Sequence, residues 1–147
     1  MYTFWKRTCP PPGMTTFDAP DRETCVARRG RTNTPLQALV LMNDPTYLEA
    51  ARGLGTRLLA EPGDDADRVA RAWLQAVGRP PTADETTVVS TVLEAARQRF
   101  QGDPAAAEQF LVVAGGPVPE EIDRPMLAAW TTVASLILNL DETISKP

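Results

Sequence analysis

The chain has 147 residues, of which 43% are apolar, so it is about one domain long and can form a hydrophobic core. It has no histidine, which excludes the commonest general base, the commonest zinc ligand and the proximal ligand of a c-type haem. The net charge is −4, and the sequence predicts no metal site, no cofactor and no catalytic residues.

The charge is divided unevenly along the chain. Residues 1–35 carry a net charge of +3, and the remainder carries −7. An acidic chain with one basic cluster and no second basic stripe argues against nucleic-acid binding. The longest apolar run, "LAAWTTVASLILNL", is too short and too polar to span a bilayer, and the start lacks the apolar core of a signal peptide. By itself the sequence is typical of a soluble protein.

Residues 1–32 form the first unit, and they show neither helical nor strand periodicity for long. The successive prolines from Pro10 to Pro12 favour polyproline or turn geometry. Aromatic side chains in this segment need burial, so we predict an extended arm that lies over a helical body. Cys9 and Cys25 form no CxxC or CxxCH motif, and they are either two buried thiols or one disulfide.

The second unit, residues 33–147, has the helix start and stop signals of a helical domain. Thr34 and Gln37 form a capping box around a proline at the first helical position. The apolar face predicted for this first helix consists of Leu36, Leu39 and Val40. Asp44 is expected to cap the second helix.

Five helices follow the first one. They are expected to start at Pro45, near Asp67, after Thr82, at Pro104 and near Met126. The apolar positions expected in their cores include Leu48, Ala51, Leu54, Gly55, Leu58, Val69, Trp73, Val77, Val88, Val92, Ala96, Phe100, Trp130, Val133 and Ile137. The prediction is an all-α fold of about six short helices in an irregular bundle with a proline-rich N-terminal arm.

The first fifty residues carry a resemblance to a known family. The pattern consists of "YTFWKR", "PPP", "FDAP", the pair Arg28 and Arg29, "TNTPLQAL" and "NDP". Two later segments, "GRPPTADE" and "AAWTTVASLILNLDE", resemble the family's later helices. The chain resembles the C-terminal portion of a planctomycete-specific domain of unknown function.

The resemblance implies a larger context for the chain. The family domain ends large multidomain proteins, which often carry a cytochrome-c-like domain as well. By this resemblance, we expect the chain to lack the part of the domain that normally lies upstream of "YTFW". Such parent proteins are exported, which would place this chain in the periplasm or outside the cell. The family has no established catalytic residues, so the resemblance assigns none.

One segment has the pattern of an anion-binding site. Arg28, Arg29 and Arg31 lie beside Thr32 and Asn33, directly before a helix whose N-terminal amides attract negative charge. A sulfate, a phosphate or a sugar carboxylate would suit these residues. In the alternative interpretation, the arginines pair with nearby carboxylates and Thr34 only caps the helix.

Two acidic loops are candidates for a catalytic pair of carboxylates. "DDAD", Asp64 to Asp67, and "EEID", Glu120 to Asp123, both lie next to helix starts, where capping explains acidic residues. Neither loop follows the spacing of an EF-hand.

The sequence leaves three hypotheses for function, of which the third, an accessory to electron transfer, rests only on the domains that accompany the family. In the first, the chain is a non-catalytic helical scaffold that contacts other domains of a parent polypeptide or a protein partner, with homo-oligomers also possible. In the alternative, it is part of a carbohydrate- or anion-binding or hydrolytic domain completed by an upstream region. The arginines, Asn33 and Asp18 would then converge on a pocket.

Overall fold

A computed structural model of the chain describes residues 4–6, 8–28, 30 and 32–144. It is all-α, with 66% of the described residues helical and no strand among them, which confirms the predicted fold class. The helices of the described residues are α1 (Pro12–Thr16), α2 (Pro35–Asn43), α3 (Pro45–Ala60), α4 (Asp65–Ala76), α5 (Ala83–Gly102), α6 (Pro104–Val113), α7 (Arg124–Leu138) and α8 (Asp141–Ile144). Six of them have seven residues or more, and these are the six that the sequence predicted.

The helices begin where the sequence places their caps. Thr34 with Gln37 and Thr82 with Glu85 form the two predicted capping boxes. The acidic loops serve the same purpose, because Asp64 caps α4 in a box with Asp67. The side chains of Asp44, Asp103 and Asp123 cap α3, α6 and α7. Each cap satisfies a backbone N–H that has no partner inside its helix.

Helix α7 lies at the centre of the bundle, in contact with α3, α5 and α6. Trp130 on α7 is fully buried, and Trp73 on α4 is also buried, as the sequence predicts. Gly55 allows α3 to approach α7 closely. A Cβ added there would lie 3.3 Å from the backbone nitrogen of Thr131 and 3.3 Å from the carbonyl carbon of Trp130.

Helix α5 buries Ala96 and Phe100 as expected, but its first half buries a different face from the one expected. Val88 is 59% exposed, whereas its neighbour Val89 lies in the core with Leu93. Val92, which was also expected in the core, is only partly buried. Apolar residues occur in adjacent pairs along this helix, so periodicity alone could not decide which face packs against α7.

Helix α2 also differs from expectation, because its buried residue is polar. Gln37 is 1% exposed, while Leu36, Leu39 and Met42 are 58%, 59% and 49% exposed. The expectation that Leu36 and Leu39 face the core is therefore wrong. The helix, "PLQALVLMN", is apolar almost all round, so its sequence contains no amphipathic signal that could orient it.

The N-terminal arm is not extended throughout, since α1 forms a single short helix within it. Its first residue is Pro12, a position where proline lacks only an N–H that would be unbonded anyway. Cys9 and Cys25 are both free and exposed, so neither the expected burial nor a disulfide is found. Trp5 is half-buried, and the guanidinium of Arg22 lies 4.9 Å from its ring centroid.

Candidate functional site

The arm is attached to α2 through the buried side chain of Gln37. Its Nε2 donates to the backbone oxygen of Thr16 at 2.8 Å and to Oγ1 of Thr32 at 3.0 Å. Its Oε1 accepts the backbone N–H of Thr34 at 2.9 Å. The capping residue of α2 thus also binds the arm, which explains why a polar side chain takes the buried position. We call Thr16, Asp18, Thr32, Thr34 and Gln37 the arm–α2 junction.

Asp18 brings a carboxylate into this junction. The backbone N–H of Thr32 donates to its Oδ2 at 2.7 Å, and the Thr32 hydroxyl lies 3.0 Å from Oδ1 and 2.8 Å from Oδ2. The backbone of Asp18 has a φ of +57°, a left-handed conformation that aspartate tolerates better than most residues. The donors of Thr32 that were expected to hold a free anion are therefore occupied by a carboxylate of the same chain.

Asn33 makes a contact that spans most of the sequence. Its Nδ2 donates to Oδ1 of Asp141, at 2.7 Å, across 108 positions. Asp141 begins α8, so the residue before the α2 cap is tied to the end of the described chain. The sequence does not predict this pair, because neither residue belongs to a motif that includes the other.

The structure places the other predicted anion-binding residues as follows. Arg28 is exposed, and Arg29 and Arg31 lie outside the described residues. Thr32 and Asn33 lie side by side but bind two different carboxylates, those of Asp18 and Asp141. An external anion at this position would have to displace Asp18 from Thr32.

The surface of α2 next to the junction is apolar. We call Leu36, Leu39 and Met42 the α2 stripe, since their spacing of three residues puts them along one side of the helix. No charged residue occurs between Pro35 and Asn43. An uncharged helix with three exposed large apolar side chains is typical of a contact surface rather than of a face in water.

A second polar cluster, which sequence analysis missed, is centred on Arg79. Its guanidinium donates to both carboxylate oxygens of Glu85, at 2.9 and 2.7 Å, and to both of Glu142, at 3.0 Å each. The hydrogen bonds from Arg79 and, after them, from the backbone of Thr82 lower the pKa of Glu85 from 4.5 to about 2. The bond to Glu85 is the largest cause of the raised pKa of Arg79. The cluster joins the start of α5 to α8.

Two features are absent from the described residues. Within residues 4–6, 8–28, 30 and 32–144, no group of three or more His, Cys, Asp or Glu side chains could hold a metal ion. In the same part of the chain, no helix combines the length and the apolar character needed to cross a membrane.

The fold and the junction define the protein as an all-α module with an N-terminal arm bonded to its first long helix. The chain matches the family model PSD1, described as a protein of unknown function (DUF1553), over residues 1–93. The match covers the arm, α2, α3, α4 and the first half of α5, and the chain belongs to this family. It confirms that the family resembled is one of unknown function. Neither the curated proteins nor the solved structures contain a match to the chain.

Proposed function

We propose that the chain is a non-catalytic interaction module, and that the α2 stripe packs against another domain of a longer parent polypeptide. The observation that carries the proposal is the exposure of Leu36, Leu39 and Met42 on a helix without charge. Following the resemblance of its first fifty residues, we propose that the chain is the C-terminal portion of a larger planctomycete domain. The parent polypeptide would be exported.

The size of the stripe favours a covalently linked partner. Three side chains that are about half exposed cover far less than the roughly 800 Å² per partner buried in a stable complex. A domain in the same polypeptide needs less contact area, because linkage raises its effective concentration into roughly the millimolar range for a short flexible linker. For this reason we favour a neighbouring domain over a second copy of the chain.

The junction supports a structural role over a hydrolytic one. A binding or catalytic pocket would need the side chains of Asp18 and Asn33 to face an open cleft. Asp18 instead accepts two donors of Thr32, and Asn33 donates to Asp141. Both side chains therefore join separate segments of the chain. This is a structural role, which fits an interaction module better than a hydrolytic site.

The first experiment establishes whether a parent polypeptide exists. An antibody raised against this chain should detect, in the source cells, a polypeptide well above the 16.0 kDa of the chain. A single band at 16.0 kDa would contradict the proposal.

The second experiment tests the stripe with the variant Leu36→Gln, Leu39→Gln, Met42→Gln. In the isolated chain we expect its stability to change by no more than about 0.5 kcal/mol per site, since the side chains are exposed. In the parent polypeptide the same variant should speed proteolysis of the boundary between domains. The matched control is Leu74→Gln, which changes an exposed leucine, 57% accessible, outside the stripe. If the stripe variant does not speed proteolysis of the domain boundary, or if Leu74→Gln speeds it as much, the proposal is contradicted.

A further inference from the structure

A cavity of about 440 Å³ lies where α4, α5, α7 and α8 meet. Its volume is within the range of small-molecule sites, which is roughly 300 to 1,000 Å³. None of the α2 stripe residues lines it, so it is separate from the proposed contact surface. The apolar side chains of its wall are Trp73, Val88, Val89, Leu136 and Leu140.

The rim of the cavity is acidic. Asp84, Glu85, Asp141 and Glu142 contribute four carboxylates against the single guanidinium of Arg79. That guanidinium is shared between Glu85 and Glu142, and Asp141 accepts a hydrogen bond from Asn33. Asp84 is exposed and forms no ion pair with any residue that the structure describes.

The indole of Trp73 contributes its ring to the wall. The side chain is 4% exposed and its N–H is buried, so the ring offers a ligand apolar surface rather than a hydrogen bond. The cavity therefore combines an apolar wall with a rim of negative charge.

We propose that this cavity binds a small primary amine with an aromatic or branched aliphatic body. The body would pack against Trp73 and Val88, and the ammonium group would lie among the carboxylates at the rim. A cation is favoured there because four negative groups face one positive group that is already paired. An anionic ligand would meet repulsion from Asp84 and Asp141.

The experiment uses three probes of similar shape and different charge. They are 2-phenylethylammonium, neutral 2-phenylethanol and anionic 3-phenylpropionate, each titrated into the chain labelled with nitrogen-15. The side-chain N–H resonance of Trp73, assigned with Trp73→Phe, reports binding at the cavity. We expect saturable binding of the ammonium probe, at least about tenfold tighter than that of either other probe.

Two variants locate the binding. Asp84→Asn should weaken the ammonium probe about fivefold, the effect of one charge near a surface, whereas Glu120→Gln on a distant loop should have no effect. Val88→Trp should abolish binding by filling the cavity, and the exposure of Val88 allows the variant to fold. Equal affinity for the three probes, equal effects of Asp84→Asn and Glu120→Gln, or unchanged binding by Val88→Trp would each overturn the proposal.

Discussion

The side chain of Gln37 donates a hydrogen bond of 2.8 Å to the backbone oxygen of Thr16, and this bond joins the first long helix to the N-terminal arm. The same side chain accepts the backbone N–H of Thr34 at the start of α2. One residue therefore caps the helix and fixes the arm on it. With Gln37 facing inward, Leu36, Leu39 and Met42 face outward, which links the attachment of the arm to the exposure of the α2 stripe.

Removal of this side chain should destabilise the chain. Gln37→Ala leaves the N–H of Thr34 and the carbonyl of Thr16 without their partner in a partly buried position, so we expect a loss of about 1–3 kcal/mol. Urea unfolding monitored by circular dichroism measures the change. Gln98→Ala, at an exposed glutamine whose side chain donates a hydrogen bond to Glu94, is the control and should change the free energy by less than about 0.5 kcal/mol.

The contact between Asp18 and Thr32 should appear as a coupling energy. In a double-mutant cycle with Asp18→Asn and Thr32→Val, we expect the two variants to interact by about 1 kcal/mol, because the hydroxyl of Thr32 lies against the carboxylate. The free energies of unfolding of the four proteins give this value. Strictly additive effects would mean that the contact between the Thr32 hydroxyl and the Asp18 carboxylate contributes nothing to stability.

Glu85 should make stability depend on pH at the acidic end. Its folded pKa of about 2 lies below its ordinary value of 4.5, so its contribution is complete above pH 4.5 and is lost as the pH falls towards 2. Arg79→Met removes the largest cause of the shift, so the free energy of unfolding should decline less across this window. The control is Arg57→Met, at an exposed arginine. A decline of equal steepness in both variants would refute the assignment to Arg79.

Two glycines of α3 provide a matched test of the packing against α7. Gly53 has no neighbouring atom within 4 Å of an added Cβ, so Gly53→Ala should stabilise the chain by about 0.5–1 kcal/mol through helix propensity. Gly55→Val should destabilise it by about 1–3 kcal/mol, because the side chain would press on the backbone of Thr131 and Trp130. Thermal unfolding measures both changes. A stabilising Gly55→Val would show that α3 and α7 lie further apart.

The sequence predicts the helices well because their starts are marked by local chemistry. Thr34 with Gln37, Thr82 with Glu85, and the capping aspartates each act within three residues, so the sequence shows both partners together. The same local rule explains the acidic loop at Asp64, which caps a helix as expected.

The orientation of the helices was harder to predict. Val88 and Val89 are adjacent and equally apolar, and packing between the helices decides that Val89 is the buried one. Gln37 is buried where its amide donates to the backbone oxygen of Thr16, which lies 21 positions away in the arm. No local sequence pattern predicts this contact. The bonds from Asn33 to Asp141 and from Arg79 to Glu142 span 108 and 63 positions, so they arise from the fold alone.

The most direct test of the interaction-module proposal is hydroxyl-radical footprinting of the isolated chain and of the parent polypeptide. The oxidation rates of Leu36, Leu39 and Met42 report the solvent access of the α2 stripe, and Leu74 is the internal control. We predict that the stripe residues react several-fold more slowly in the parent polypeptide while Leu74 reacts at the same rate in both. Equal rates for the stripe in the two proteins would contradict the proposal that a neighbouring domain covers α2.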